Sequence, residues 1–178
     1  TVARFTGAGE PLKASNQAIQ SLWLAFFLGI AIAFFGYFAA DPLLKLLGAD
    51  GELLNQARIY LRISMFGAPA MLIMLAGVGY LRGVKDTVRP LWVAIGTALL
   101  NLGLELVLIY GFNKEIGASA AATVASQWVG ALIYLVWIRQ AIGEYKVSFK
   151  PKFLVLIKLL RSSSELLVRN LSLTTSFI

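Results

Sequence analysis

Long stretches without a charged residue decide what this chain can fold into. Residues 14–40, 63–81 and 116–138 contain no Asp, Glu, Lys or Arg, and residues 90–112 contain one, Glu105. About twenty consecutive apolar residues suffice for a helix to cross the hydrocarbon core of a bilayer. The charges that remain are gathered between these runs: only 14% of residues are charged, against about a quarter in soluble domains, while 58% are hydrophobic and the mean hydropathy is +0.76. The chain therefore reads as an all-α, polytopic membrane helix bundle with four full spans.

The first span runs from about Ser15 to Ala40, with Trp23 and Tyr37 near its ends as interfacial aromatics. Asp41-Pro42 is expected to end it, and residues 43–48 with 49–56 to form an amphipathic connection on the membrane surface. The second span covers about Ile59 to Leu81 and holds Gly67 and Pro69, where the lost proline N–H predicts a kink. A short polar connection, 82–89, leads to Pro90, which opens the third span at a position proline tolerates. After a connection at 113–117 the fourth span, about Ala118 to Ile138, begins with small residues that permit close helix approach. Within 143–161, the apolar run 153–160 is flanked by bases and suits a helix lying on the lipid surface.

The net charge of +7 arises in the connections. It forms no stripe or motif of a nucleic-acid-binding module, so no nucleic-acid partner is expected. Connections 4–13, 82–89 and 139–161 hold most of the bases. The alternating connections hold Lys45, Arg58, Arg62 and Lys114 among four acids, which places the first set on the cytoplasmic side. The chain has no Cys and no His, which removes disulfides, thiolate chemistry, His-ligated metals and Ser-His triads. Both ends read as cut from something longer. Residues 1–6 before Gly7-Ala8-Gly9 look like a last helical turn meeting a glycine stop, and Ser162 with Glu165 fits a capping box at the start of a further helix.

Chemistry is concentrated in the third span. Thr97, Asn101 and Glu105 recur every four residues and so share one helix face. A carboxylate facing lipid at mid-bilayer costs roughly 2.5–3.5 kcal/mol on insertion scales, so Glu105 is expected to face a bundle interior or a watery cavity. The fourth span carries a matching face of Thr123, Ser126, Gln127, Gly130 and Tyr134. Thr97, Ser126, Gln127 and Tyr134 are thus candidates to line a cavity between the two. Carboxylate, amide and hydroxyl oxygens are hard ligands for a small cation. A carboxylate withdrawn from water also holds a proton more readily, which suits it to carrying one. Two other readings stay open: interhelical hydrogen-bond glue for the amide and hydroxyls, and a structural salt bridge from Glu105 to Arg62.

Arg82-Gly83-Val84-Lys85-Asp86-Thr87-Val88-Arg89-Pro90-Leu91, an Asn-x-x-x-acid pair in the third span, Tyr110-Gly111, the small run from Gly117 to Thr123, and Ala3-Arg4-Phe5-Thr6-Gly7-Ala8-Gly9 together resemble the multidrug and toxic compound extrusion (MATE) family. The resemblance covers nearly the whole chain, and its Arg-Gly-x-x-Asp-Thr-x-x-Pro stretch is the most specific part. It implies a twelve-helix antiporter of two six-helix lobes, exporting organic cations, drugs or other amphipathic compounds in exchange for H⁺ or Na⁺. On that register residues 1–141 hold the end of helix 2 and helices 3 to 6 of the amino-terminal lobe. Residues 142–161 hold a cytoplasmic inter-lobe linker and 162–178 the start of helix 7. Asn101, Glu105 and Thr123 fall where the DNA-damage-inducible-F-like branch places an Asn, an Asp and a Thr of a coupling-ion site, with Glu here in place of Asp. The family's other acid of that lobe belongs to helix 1, which precedes this stretch.

The resemblance further implies a monomeric, multi-pass protein of the plasma (inner) membrane if bacterial, with no cofactor and no metal beyond Na⁺ at that site. It implies a transporter and not an enzyme. A flippase of the same superfamily, moving a lipid-linked or polysaccharide precursor, is the alternative within the class and would be expected to have a strongly basic cavity. An intramembrane hydrolase needs paired acids, a Ser/Lys pair or metal-ligating His inside the membrane, and the spans offer one acid. Three side-chain oxygens are fewer than the roughly six a hard cation takes, which favours H⁺ over Na⁺.

Overall fold

The computed structural model describes residues 2–111, 116–143, 147, 149–161 and 164, with the side chains of 110 and 111 excluded. Its helices are α1 (Val2–Gly7), α2 (Pro11–Leu46), α3 (Gly51–Met65), α4 (Ala68–Gly83), α5 (Val88–Leu106), a π-helical turn (Val107–Gly111) and α6 (Ile116–Gly143); residues 153–161 form a further helix, α7. Three of them, α2, α5 extended to Ile109, and α6, are long and apolar enough to cross a membrane, and the bent pair α3–α4 passes the same test when it is counted as one span. The four expected spans are thus present, with altered bounds. The capping box at Ser162 and Glu165 and the helix start at 162–178 lie outside the described residues, Ser164 apart.

Two boundaries differ from the sequence reading. Asp41-Pro42 does not stop the first span: α2 continues through Pro42 to Leu46. A proline inside a helix forfeits one backbone bond and crowds the carbonyl four residues earlier, but it does not dictate a stop. The stop lies at Gly48, whose φ of 83° lets the amides of Gly48 and Ala49 turn back onto Lys45 and Leu44 carbonyls. Residues 43–46 are therefore helix and not surface connection. The second difference is that α3 starts at Gly51, well before Ile59, and takes up most of the expected amphipathic connection. Asp41, read as part of a terminator, instead receives Arg58 Nε at 2.7 Å and Arg62 Nη2 at 3.6 Å, tying α2 to α3. The kink expected around Gly67 and Pro69 is present: α3 and α4 meet at 47°.

Small residues set the packing. The Cα hydrogens of Gly29 in α2 lie against the backbone of Pro69 and Ala68, Gly77 of α4 lies under the Tyr134 ring, and Gly130 of α6 sits against Met74 and the Thr97 methyl. Ala18, Ala70, Ala120, Ala122 and Ala131 are buried at the same interfaces. Without a hydrophobic drive between helices in lipid, such close approach supplies the dispersion contacts that hold a bundle. α4 packs between α2 and α6, while α5 rests mainly on α6. Phe34, Phe35, Phe38, Leu75, Leu99, Leu102 and Leu132 remain exposed, as a lipid-facing surface requires.

The two glycine-bearing motifs meet at one end of the bundle. Gly9, at φ 69°, ends α1, with Glu10 N donating to Phe5 O. Gly83 accepts the close approach of Val2 from α1. After it, Lys85 adopts φ 66° and Asp86 N returns to Leu81 O. The Asp86 carboxylate then accepts the amides of Val88 and Arg89, opening α5. The segment expected to be a linker is fastened at this end too. Gln20, 2% exposed, donates to Lys150 O at 3.1 Å and accepts from Lys152 N at 2.8 Å, and Trp23 Nε1 donates to Phe149 O. α7 buries Leu156 and exposes Phe153, Leu154 and Ile157. Arg4, Lys13, Arg82, Lys85, Arg89 and Lys152 therefore gather at one end of the bundle, and Asp41 and Arg58 lie at the other.

Candidate coupling-ion site

α5 and α6 are antiparallel neighbours, so four-residue steps up one meet four-residue steps down the other. Asn101 Nδ2 donates to Thr123 Oγ1 at 3.1 Å. One turn further along, Ser119 Oγ donates to Glu105 Oε1 at 2.7 Å. The rungs are joined, because Thr123 Oγ1 donates to Ser119 O at 3.0 Å. All four side chains are half-buried. Of the two polar faces read from the spans, Asn101 and Thr123 thus meet directly, while Glu105 is joined to them through Ser119.

Glu105 reaches that chain through a residue the sequence reading passed over. Ser119 was grouped with the small residues of the first α6 turns, yet it stands four residues before Thr123 on the same face. That spacing is the signal that could have found it. The Arg62 alternative does not form here: its guanidinium lies beside Asp41 and over the Tyr37 ring at 5.0 Å. Among the described residues, Glu105 has no basic partner.

The other candidates are placed differently. Thr97 turns its hydroxyl back to Val93 O at 2.7 Å and packs its methyl on Gly130. Ser126 is 4% exposed and donates to Thr123 O at 2.9 Å. Gln127 reaches the α3–α4 bend, where its Oε1 lies against Gly67 and has no partner among the described residues. Next to it, Trp128 Nε1 donates to the Phe66 carbonyl at that bend. Tyr134 is 1% exposed, packed on Gly77 and edge-on to Trp137. No group of three or more His, Cys, Asp or Glu side chains that could hold a metal is found among the described residues.

A helical bundle with several bilayer-length apolar helices, a bent helix pair and a half-buried carboxylate between two of its helices fits an integral, multi-pass membrane protein. The MatE family model matches residues 1–107, and the chain belongs to that family. It is similar to Protein DETOXIFICATION 42 of Arabidopsis thaliana, 30% identical over 96% of this chain and 33% of the relative. DNA damage-inducible protein F of Escherichia coli K12 is 30% identical over 98% of this chain and 39% of that protein. A solved structure of an inward-facing multidrug resistance MATE family transporter of the MOP superfamily matches with a TM-score of 0.73 at 32% identity, over 76% of this chain and 31% of that one. The chain thus spans between a third and two fifths of these two relatives.

Proposed function

We propose that this chain forms the larger part of the amino-terminal lobe of a secondary-active efflux transporter, working by alternating access, and that Glu105, Asn101 and Thr123 take part in binding its coupling ion. The observation that carries the reading is the half-buried Glu105 carboxylate, bonded to Ser119 in a span otherwise free of charge. Such a group is costly in a membrane and retained where an ion must be carried. The substrate class proposed is organic cations, drugs or other amphipathic compounds, in keeping with the multidrug resistance transporter that the fold matches.

H⁺ is the favoured coupling ion. Asn101 commits its amide N–H to Thr123, and Thr123 commits its hydroxyl hydrogen to Ser119 O, so their remaining oxygens and Glu105 form a sparse cage for Na⁺. A protonatable carboxylate needs no cage. The precursor-flippase alternative would call for a strongly basic cavity; among the described spans the bases lie toward the ends, Arg62 paired with Asp41. The proposed transporter is monomeric and uses no cofactor.

The test is Glu105→Gln in the full-length protein, reconstituted in vesicles under an imposed pH or Na⁺ gradient. Gradient-driven efflux is expected to vanish while expression and insertion persist. Unchanged efflux refutes the assignment. Efflux sustained by a Na⁺ gradient at equal pH, with a protonophore present, would reject proton coupling and make Asn101 and Thr123 direct Na⁺ ligands.

A further inference from the structure

Among the described residues, Ser119 is the one that touches both halves of the α5–α6 hydrogen-bond chain. Its carbonyl accepts from Thr123, which itself accepts from Asn101, and its hydroxyl donates to Glu105. Remove that hydroxyl and the carboxylate loses its bond to the residue whose carbonyl holds Thr123. A hydroxyl is also the donor type best matched to an acid that changes state, since it donates to a carboxylate and, after rotation, accepts from a carboxylic acid. The 2.7 Å distance suits a charge-assisted bond. Reach matters as well: an aspartate at 105 would end one methylene short of the Ser119 hydroxyl.

We propose that Ser119 is a positioning residue of the coupling site, holding the Glu105 carboxylate against α6 beside Asn101 and Thr123. This rests on the reading of Glu105 as a coupling-ion group. Of the described charged groups on α3, which packs on α6, Arg58 and Arg62 are both paired with Asp41 of α2. Within the described structure, Ser119 is therefore the partner through which the protein acts on Glu105.

A double-mutant cycle in the full-length, reconstituted transporter tests it. Ser119→Ala is expected to slow gradient-driven efflux about tenfold or more, as loss of a hydrogen bond to a charged group does, and Ser119→Thr to restore most of it. In an Glu105→Asp background, where the carboxylate no longer reaches, Ser119→Ala should add little. A merely structural serine would give the same loss in both backgrounds, and that result overturns the proposal. An infrared measurement covers the case in which Glu105→Asp is inactive. The carboxyl bands of Glu105, assigned by their disappearance in Glu105→Gln, should move in Ser119→Ala and return in Ser119→Thr; bands that stay put refute the contact. Normal efflux in Glu105→Gln would sink the parent assignment, whereas blocked efflux there with wild-type efflux in Ser119→Ala would sink the Ser119 role alone.

Discussion

Replacing Gln20 by alanine should free the linker while leaving the helical bundle folded. Gln20 lies buried in α2 and makes two hydrogen bonds to linker backbone, to Lys150 O and from Lys152 N. Each such bond contributes about 1 kcal/mol net. Losing both destabilises the docked linker by about 2 kcal/mol, which is roughly a thirty-fold rise in its undocked population. The Trp23–Phe149 bond and the Phe27–Phe153 stacking survive, so docking is weakened and not abolished. Trypsin offers a direct assay. The Lys150-Pro151 bond resists it, so cleavage after Lys152, read from a product beginning at Phe153, reports undocking. Cleavage should accelerate by a factor on the order of 30 in Gln20→Ala, with the melting midpoint of the bundle little changed. An unchanged rate would mean that the linker is held by something other than this clamp.

Two glycines of similar sequence context should respond oppositely to alanine. At Gly29 a Cβ would strike the Pro69 backbone, which cannot rotate away, so Gly29→Ala should destabilise by about 1–3 kcal/mol. At Gly96 nothing lies within 4 Å, and alanine should be neutral or stabilise by up to about 1 kcal/mol; equal melting midpoints for the two variants in detergent would refute the packing argument. Asp41→Asn removes the shared partner of Arg58 and Arg62, whose side chains are about a third exposed, and should cost about 1–2 kcal/mol in the same melt. Because residues 1–178 contain no Cys, single cysteines at 85 and 50 would be the only thiols of this stretch available to label. An impermeant reagent applied to intact cells should reach position 50 and spare position 85, and the reverse pattern would invert the topology.

The spans were legible in the sequence because exclusion of charge from lipid is a one-dimensional constraint, and a run of uncharged residues records it without knowledge of neighbours. The kink at Gly67 and Pro69 was legible for a similarly local reason, the missing proline N–H. What misled was treating Pro42 as local too. One missing bond left α2 intact through Leu46, and the chain turned where Gly48 could adopt a positive φ. The early start of α3 was hidden because residues 51–58 are amphipathic, mixing Leu53, Leu54 and Ala57 with Glu52, Asn55, Gln56 and Arg58. They are helical yet bury no side chain, and Arg58 is held by Asp41 from the preceding helix, a pairing seventeen residues away that no window of local hydrophobicity contains.

The candidate site divides along the same line. Spacing alone put Thr97, Asn101 and Glu105 on one face, and Thr123, Ser126 and Gln127 near one another on the next span. Which of them meet depends on the register between two antiparallel helices, and that register is set by the Gly130 contact with Thr97 and Met74. With Thr97 drawn against Gly130, Asn101 falls opposite Thr123 and Glu105 opposite Ser119. Gln127, which a pairing of stripes would send toward Thr97, is turned toward the Gly67 bend instead, because only a glycine there leaves room for its amide. The register also explains why the missed residue had to be small: between the buried Ala118 and Ala120, position 119 can carry a hydroxyl without forcing α5 away from α6.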